Sequence, residues 1–162
     1  GTSAGALSGV ICAEDPLSGL NRLAYIWGQL DAGHIMNENW LSRLTNARQI
    51  ALVDNTTEAD TLNGLLTART FADLSLPFSA VATDVATGHA VVIDSGPLIP
   101  ALLASSAIPG ALPPVEIGGR LLFDGLASAN LPAVPAVRRG SGPDRHPVRS
   151  ASTGCARGLR RR

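Results

Sequence analysis

The apolar positions of the chain follow two grammars, a helical spacing of three to four residues and a strand-like run, and they change over near Leu76. Ala4-Gly5-Ala6-Leu7-Ser8-Gly9-Val10-Ile11-Cys12-Ala13 is a nearly unbroken apolar run of small residues, which predicts a helix apolar on most sides and therefore buried. After Pro16, the positions Leu17, Leu20, Leu23, Ala24, Trp27 and Leu30 recur at helical steps, predicting an amphipathic helix that stops near Asp31-Ala32-Gly33. Trp40, Leu41 and Leu44 mark a short further helix, and Ala51-Leu52-Val53 is an isolated apolar patch. Asp54-Asn55-Thr56-Thr57 is a capping cluster, and the stripe Leu62, Leu65 and Leu66 predicts the helix it opens.

Beyond Leu76, Phe78-Ser79-Ala80-Val81-Ala82 and Ala90-Val91-Val92-Ile93 read as two strands joined through Thr87-Gly88. Residues 99 to 107 have the apolar content of a second buried helix, with Pro100 in its first turn and Pro109-Gly110 beyond its end. Val115-Glu116-Ile117 and Arg120-Leu121-Leu122-Phe123 flank Gly118-Gly119, the pattern of a hairpin with a two-residue turn. The second arm ends on Asp124-Gly125. After Val137 the apolar periodicity is lost.

Composition changes this picture in one place. A chain of 162 residues with 45% apolar and 16% charged residues is long enough for a sizeable core and is not of disordered composition. Its zero net charge hides an asymmetry, because residues 1 to 137 carry five Arg against twelve acids and residues 138 to 162 carry eight Arg against one. The expected division is therefore a folded domain over 1–137 and an Arg-rich, disordered tail over 138–162. Such a tail suits nucleic acid or anionic lipid by charge, but no aromatic residue follows Phe123 to stack on bases, so no nucleic-acid partner is expected. Cys12 and Cys155 form neither a disulfide framework nor a metal-ligand spacing and read as free thiols. No segment reaches the ~18 apolar residues of a membrane span, and no signal peptide is visible.

Candidate chemistry concentrates at Gly1-Thr2-Ser3-Ala4-Gly5, a G-x-S-x-G pattern opening the first buried helix. Glycines at its first and last positions let the backbone pass closely through a tight turn, and Ser3 projects at a helix N-terminus, where unpaired N–H groups and the helix dipole favour an oxyanion. The amide of Ala4 is the natural first donor. A glycine- and serine-rich loop is the bland reading of the same five residues. Asp124, placed where a strand stops and a glycine follows, is positioned to reach a neighbouring site, although Asp-Gly is equally a common turn pair. Among the histidines, His34 reads as a helix-terminal or surface residue. Asp84 and His89 flank a turn, and turn chemistry outweighs a metal or catalytic pair there. His146 is the one candidate for a Ser-His-Asp triad, and it stands in a stretch with too little apolar content to pack.

Taken together, Gly1-Thr2-Ser3-Ala4-Gly5-Ala6-Leu7, Pro77-Phe78-Ser79-Ala80-Val81-Ala82-Thr83-Asp84, Thr87-Gly88, Ala104-Ser105-Ser106-Ala107-Ile108-Pro109-Gly110, Phe123-Asp124-Gly125 and Asn130-Leu131-Pro132 resemble, in order, successive segments of the patatin-like phospholipases. Several ordered matches are far more specific than one pentapeptide. The resemblance implies an α/β fold of three α/β/α layers around a central, largely parallel sheet, incomplete here, and a Ser-Asp dyad. In that scheme Ser3 is the nucleophile and Asp124 the general base and acid; Gly1, Ala4, Gly5 and Gly125 shape the elbow and the oxyanion site. It implies neither metal nor cofactor, a lipid substrate met at a membrane or micelle surface, and a cytoplasmic or peripheral-membrane location. Two departures shape the expectation. The glycine-rich loop that supplies most of the family's oxyanion hole, and the strand leading into the elbow, would both precede Gly1, so the chain reads as a fragment, with an inactive lipid- or partner-binding module as the alternative. Leu126 stands where the family usually has Gly or Ala after Asp-Gly, and a branched side chain there is expected to crowd the dyad or disfavour the local backbone.

Overall fold

The computed structural model describes residues 1–29 and 56–138. The expected helix around Trp40, the patch at Ala51-Leu52-Val53, His34, His146 and Cys155 lie outside these residues, as does the Arg-rich tail beyond Arg138. The elements of the unit formed by Gly1–Pro132 are α1 (Ala4–Glu14), α2 (Gly19–Gln29), α3 (Thr56–Leu65), β1 (Ala80–Asp84), β2 (Ala90–Ile93), α4 (Leu98–Ser106), β3 (Val115–Ile117), β4 (Arg120–Asp124) and α5 (Leu126–Ala129). A second unit, Ala133–Arg162, is described only through the helix α6 (Ala133–Arg138).

The sheet has the order β2-β1-β4-β3. All three pairs are antiparallel, which corrects the expectation of a largely parallel sheet among the described residues. For β1–β2 and β3–β4 the reason is connection length. A parallel pair needs a crossover of a dozen or more residues, whereas a tight turn returns the chain antiparallel. Only five residues separate β1 from β2, and two, Gly118 and Gly119 with φ of 58° and 76°, separate β3 from β4. A parallel hydrogen-bond pattern is made by Gly1, whose N donates to Ser79 O at 2.7 Å and whose carbonyl accepts the Val81 N–H at 2.8 Å.

The core explains why β1 is central. Its five residues are all buried, and it is flanked by a strand on each side. Helix α4 lies against β1, β3 and β4 and in turn carries α1 and α3. Leu98, Ala101, Leu102 and Ala104 of α4 are fully buried and meet Val10 and Ala6 of α1 in one apolar cluster with Ala80, Ala82 and Leu122 of the sheet. The stripe of α2 is corrected. Leu17 and Leu20 are 96% and 69% exposed, while Leu23 and Ile26 pack on the core, so the buried face is set one residue away from the predicted one. Glu14, at the end of α1, accepts the amides of Thr67 and Ala68 at 2.7 Å on one oxygen and bonds Arg22 at 2.8 Å through the other, joining the C-terminal end of α1 to the segment just after α3.

Candidate active site

The turn that opens α1 is sharply bent at Ser3. Ser3 has φ 49° and ψ −128°, and it is the only non-glycine residue of positive φ among those described. Such a backbone costs on the order of 1–3 kcal/mol and persists only where the surroundings hold it. They do. The Ser3 N–H donates to both the carbonyl and the Oγ of Ser105, at 3.1 Å each, and Ser105 Oγ donates to Val81 O at 2.7 Å. Ser105 is completely buried, so the end of α4 ties the bend of the chain to β1. Thr2, also buried, donates from Oγ1 to Ala129 O at 2.9 Å.

A serine at the first position of a helix ordinarily caps it by accepting an amide of the first turn. Ser3 does not, and among the described residues its hydroxyl has no hydrogen bond. Ala4, next in the chain, is exposed, and its N–H meets no described carbonyl, so one backbone donor at the positive end of α1 is open beside Ser3. Gly1 is required by contact, because a Cβ there would lie 2.5 Å from Gly5 O and 2.7 Å from Ala6 N. The matching expectation for Gly5 is corrected. Its φ is not positive and none of the described residues lies within 4 Å of where a Cβ would be, so no close approach among them demands glycine at that position.

Asp124 reaches the same place through the sheet. It pairs with Ala82 on the edge of β1 that faces β4, and Gly1 occupies the adjoining part of that edge through its bonds to Ser79 and Val81. The two segments meet at Val81, and Gly125 is the residue that lets them meet: a Cβ on it would stand 2.4 Å from Val81 O and 2.8 Å from Thr2 Cγ2. The Asp124 backbone is fixed by its N–H to Ala107 O at 2.8 Å and by Thr83 Oγ1 to its carbonyl at 2.9 Å, with Thr83 Oγ1 also 2.7 Å from Ser128 Oγ. Its side chain is fully buried. Oδ1 accepts the Leu126 N–H at 2.8 Å, and Oδ2 has no partner among the described residues. Buried polar atoms are nearly always paired, and an orphan among them calls for a reason such as a catalytic role. Ser3 and Asp124 thus belong to segments that meet at Val81; among the described residues each has an unengaged oxygen, and they are not hydrogen-bonded to each other.

Leu126 does not crowd this site. Its side chain is 53% exposed, Gly125 before it has ordinary helical torsions, and its amide is the donor that anchors Asp124 Oδ1. Asp84 and His89 form a turn, as the sequence indicates. Asp84 Oδ1 accepts the amides of Ala86 and Thr87, and the Asp84 N–H bonds His89 O at 2.9 Å. Sequence reading assigns no role to Ser105, Thr83 or Ser128. The available signal was a hydroxyl inside otherwise apolar segments, where burial obliges it to find a partner. Among the described residues, no group of three His, Cys, Asp or Glu side chains is placed to hold a metal ion, and no helix is long and apolar enough to cross a membrane.

Beside the turn lies an apolar cleft of about 410 Å³, bounded by α1, α2 and α3. Ala4 and Ser106, the neighbours in sequence of Ser3 and Ser105, line it together with Leu7, Ile26, Leu62 and other apolar side chains.

The described residues thus hold a bent serine turn at the head of a buried helix and a buried aspartate at the end of β4. The model of the family described as Patatin-like phospholipase matches residues 1–137, and the chain belongs to that family. It is similar to the Uncharacterized NTE family protein Mb1092c of Mycobacterium bovis and to Rv1063c of Mycobacterium tuberculosis, 32% identical to each over 130 residues, covering 74% of this chain and 36% of either relative. A shorter similarity, 43% over 56 residues, links it to the Uncharacterized NTE family protein Mb2594 of Mycobacterium bovis, covering 35% of this chain and 10% of the relative. The chain thus spans about a third of the length of the first of these relatives.

Proposed function

We propose that the protein carrying this chain is a lipid acyl hydrolase that cleaves carboxylic esters through a Ser3-Asp124 dyad. Ser3 Oγ attacks the ester carbonyl as Asp124 Oδ2 accepts its proton, and the oxyanion that forms takes the Ala4 N–H and the positive end of α1. Collapse of the tetrahedral intermediate expels the alcohol, which leaves with the proton held by Asp124. Water then attacks the acyl-serine, Asp124 removes its proton, and the carboxylic acid departs as Ser3 is restored. The dyad is triad logic without the imidazole, the carboxylate acting on the hydroxyl directly. The cleft beside α1 receives the acyl chain, and the substrate is a lipid presented at a membrane or micelle surface. In the whole protein the sheet continues with a strand parallel to β1 that runs into Gly1, giving a catalytic domain of three α/β/α layers of which residues 1–137 are a part.

The observation that carries this reading is the orphaned Asp124 Oδ2, fully buried at the strand end where β4 meets Gly1 and Thr2. Family membership and the unengaged Ser3 hydroxyl support it. The test is labelling with a fluorophosphonate, which phosphonylates an activated serine. Labelling of the native protein at one site, mapped to Ser3 and absent from Ser3→Ala, is the expected outcome. Undiminished labelling of Ser3→Ala removes the assignment.

A further inference from the structure

On the α2 side the apolar cleft is lined by Leu23, Ile26 and Trp27, and the three are not placed alike. Leu23 and Ile26 are half-buried and pack on the core cluster, whereas Trp27 is left 45% exposed. A hydrogen bond locates its ring, because Nε1 donates to Ser8 Oγ at 3.3 Å. Ser8 lines the cleft as well, so the indole reaches from α2 to the cleft-lining face of α1. The bond is long for an N–H donor, and what it fixes is the position of the ring. Helix α2 runs back along α1 toward Ser3: a Cβ on Gly19, where α2 starts, would stand 2.8 Å from Cys12 Cα, and Trp27, near its end, meets Ser8. Ser8 follows Ala4 on the same face of α1, one helical turn or about 6 Å from the residue whose N–H is open beside Ser3.

Resting on the acyl-hydrolase reading above, we propose that Trp27 is a specificity-determining residue whose indole is the wall against which the first methylenes of the acyl chain lie, so that Ser3 acts best on acyl groups long enough to reach one turn along α1. An acetyl group ends one bond from the carbonyl carbon and leaves the ring in water. A hexanoyl chain spans the turn and covers it. Apolar surface removed from water in this way is favourable in proportion to its area, and a rigid aromatic side chain offers that area at little cost in conformational freedom. Leu23 and Ile26 have less surface to offer, because the core already covers part of each.

Two measurements test this. In the first, kcat/KM is compared for acetyl and hexanoyl esters of one alcohol in the native protein, in Trp27→Ala and in Trp27→Phe. Trp27→Ala is expected to lower the hexanoyl-to-acetyl ratio about tenfold, the equivalent of about 55 Å² of apolar surface at about 25 cal/mol per Å². Trp27→Phe, which loses the bond to Ser8 and keeps an aromatic face, is expected to lower it by much less. Partial unfolding reduces both rates alike and leaves the ratio where it was. A ratio unchanged in Trp27→Ala overturns the proposal, and so does an equal fall in Trp27→Phe, which would make the tie to Ser8 the feature that matters. The second measurement needs no catalysis: quenching of tryptophan fluorescence in Ser3→Ala protein by saturating methyl 4-bromodecanoate and methyl 10-bromodecanoate, whose bromine quenches at close range. Quenching that is lost in Trp27→Phe belongs to Trp27, and the 4-bromo ester is expected to produce more of it. No such quenching, or equal quenching by the two esters, overturns the placement of the chain against Trp27 even if Ser3 labels. Quenching in the expected order while Ser3 stays unreactive upholds the wall and removes the serine assignment instead.

Discussion

Asp84 and Asp124 close two neighbouring strands, β1 and β4, and each precedes a turn, yet their surroundings make them different chemical objects. Asp84 is engaged by its own turn. Its Oδ1 takes two amides within three residues, and the Thr87 amide chiefly holds the carboxyl below the usual aspartate range against the opposing pull of burial. Among the described residues, Asp124 has a single amide on Oδ1 and nothing on Oδ2, and it is fully buried. A carboxylate satisfied locally stabilises a turn. One that is buried with an oxygen left open keeps a lone pair for an incoming proton, at a cost in folding free energy that its neighbours must offset.

The strongest way to break this contrast is Asp124→Asn, which keeps an acceptor for the Leu126 amide and removes the basic oxygen. Fluorophosphonate labelling should fall by about 10⁴-fold. The melting temperature should change little, because one unpartnered buried polar atom replaces another; a variant that labels normally would show that Asp124 is as structural as Asp84. Next in size is Ser105→Ala, which deletes the hydroxyl bridging Ser3 N–H and Val81 O while leaving the Ser105 carbonyl in place. Stability should drop by about 1–2 kcal/mol, read from urea unfolding. Labelling should slow by roughly tenfold, since a shift of the bent backbone misplaces the nucleophile; an unchanged labelling rate would show that the carbonyl alone holds the bend.

The smallest effect is expected at the other member of the pair. Asp84 has a folded-state pKa below its unfolded value, so its contribution to stability is present above the ordinary aspartate pKa (~3.9) and is lost as pH falls through the lower folded value. In Asp84→Asn the decline of melting temperature over that acidic window should be shallower than in the native protein, and labelling of Ser3 at neutral pH should not change. An identical acid slope would mean that the turn amides contribute nothing to the titration.

Residue identities alone settled the local elements. The run of small apolar residues from Ala4 to Ala13 made α1 a buried helix, Gly118-Gly119 made a tight hairpin, and Asp84 with Thr87 and Gly88 made a turn, because each depends on contacts within a few positions in the chain. The ordered motifs around Ser3, Ser105 and Asp124 also pointed to the family to which the chain belongs. Only the folded chain decided what spans long sequence separations. The face of α2 that is buried, the antiparallel order β2-β1-β4-β3 and the tether from Ser105 across 102 residues to Ser3 all depend on which surfaces meet. Leu126 shows the limit most plainly. Its identity suggested crowding, but whether a branched side chain at that position turns into the site or out to solvent is set by the helix that begins there, and its backbone amide became the anchor of Asp124.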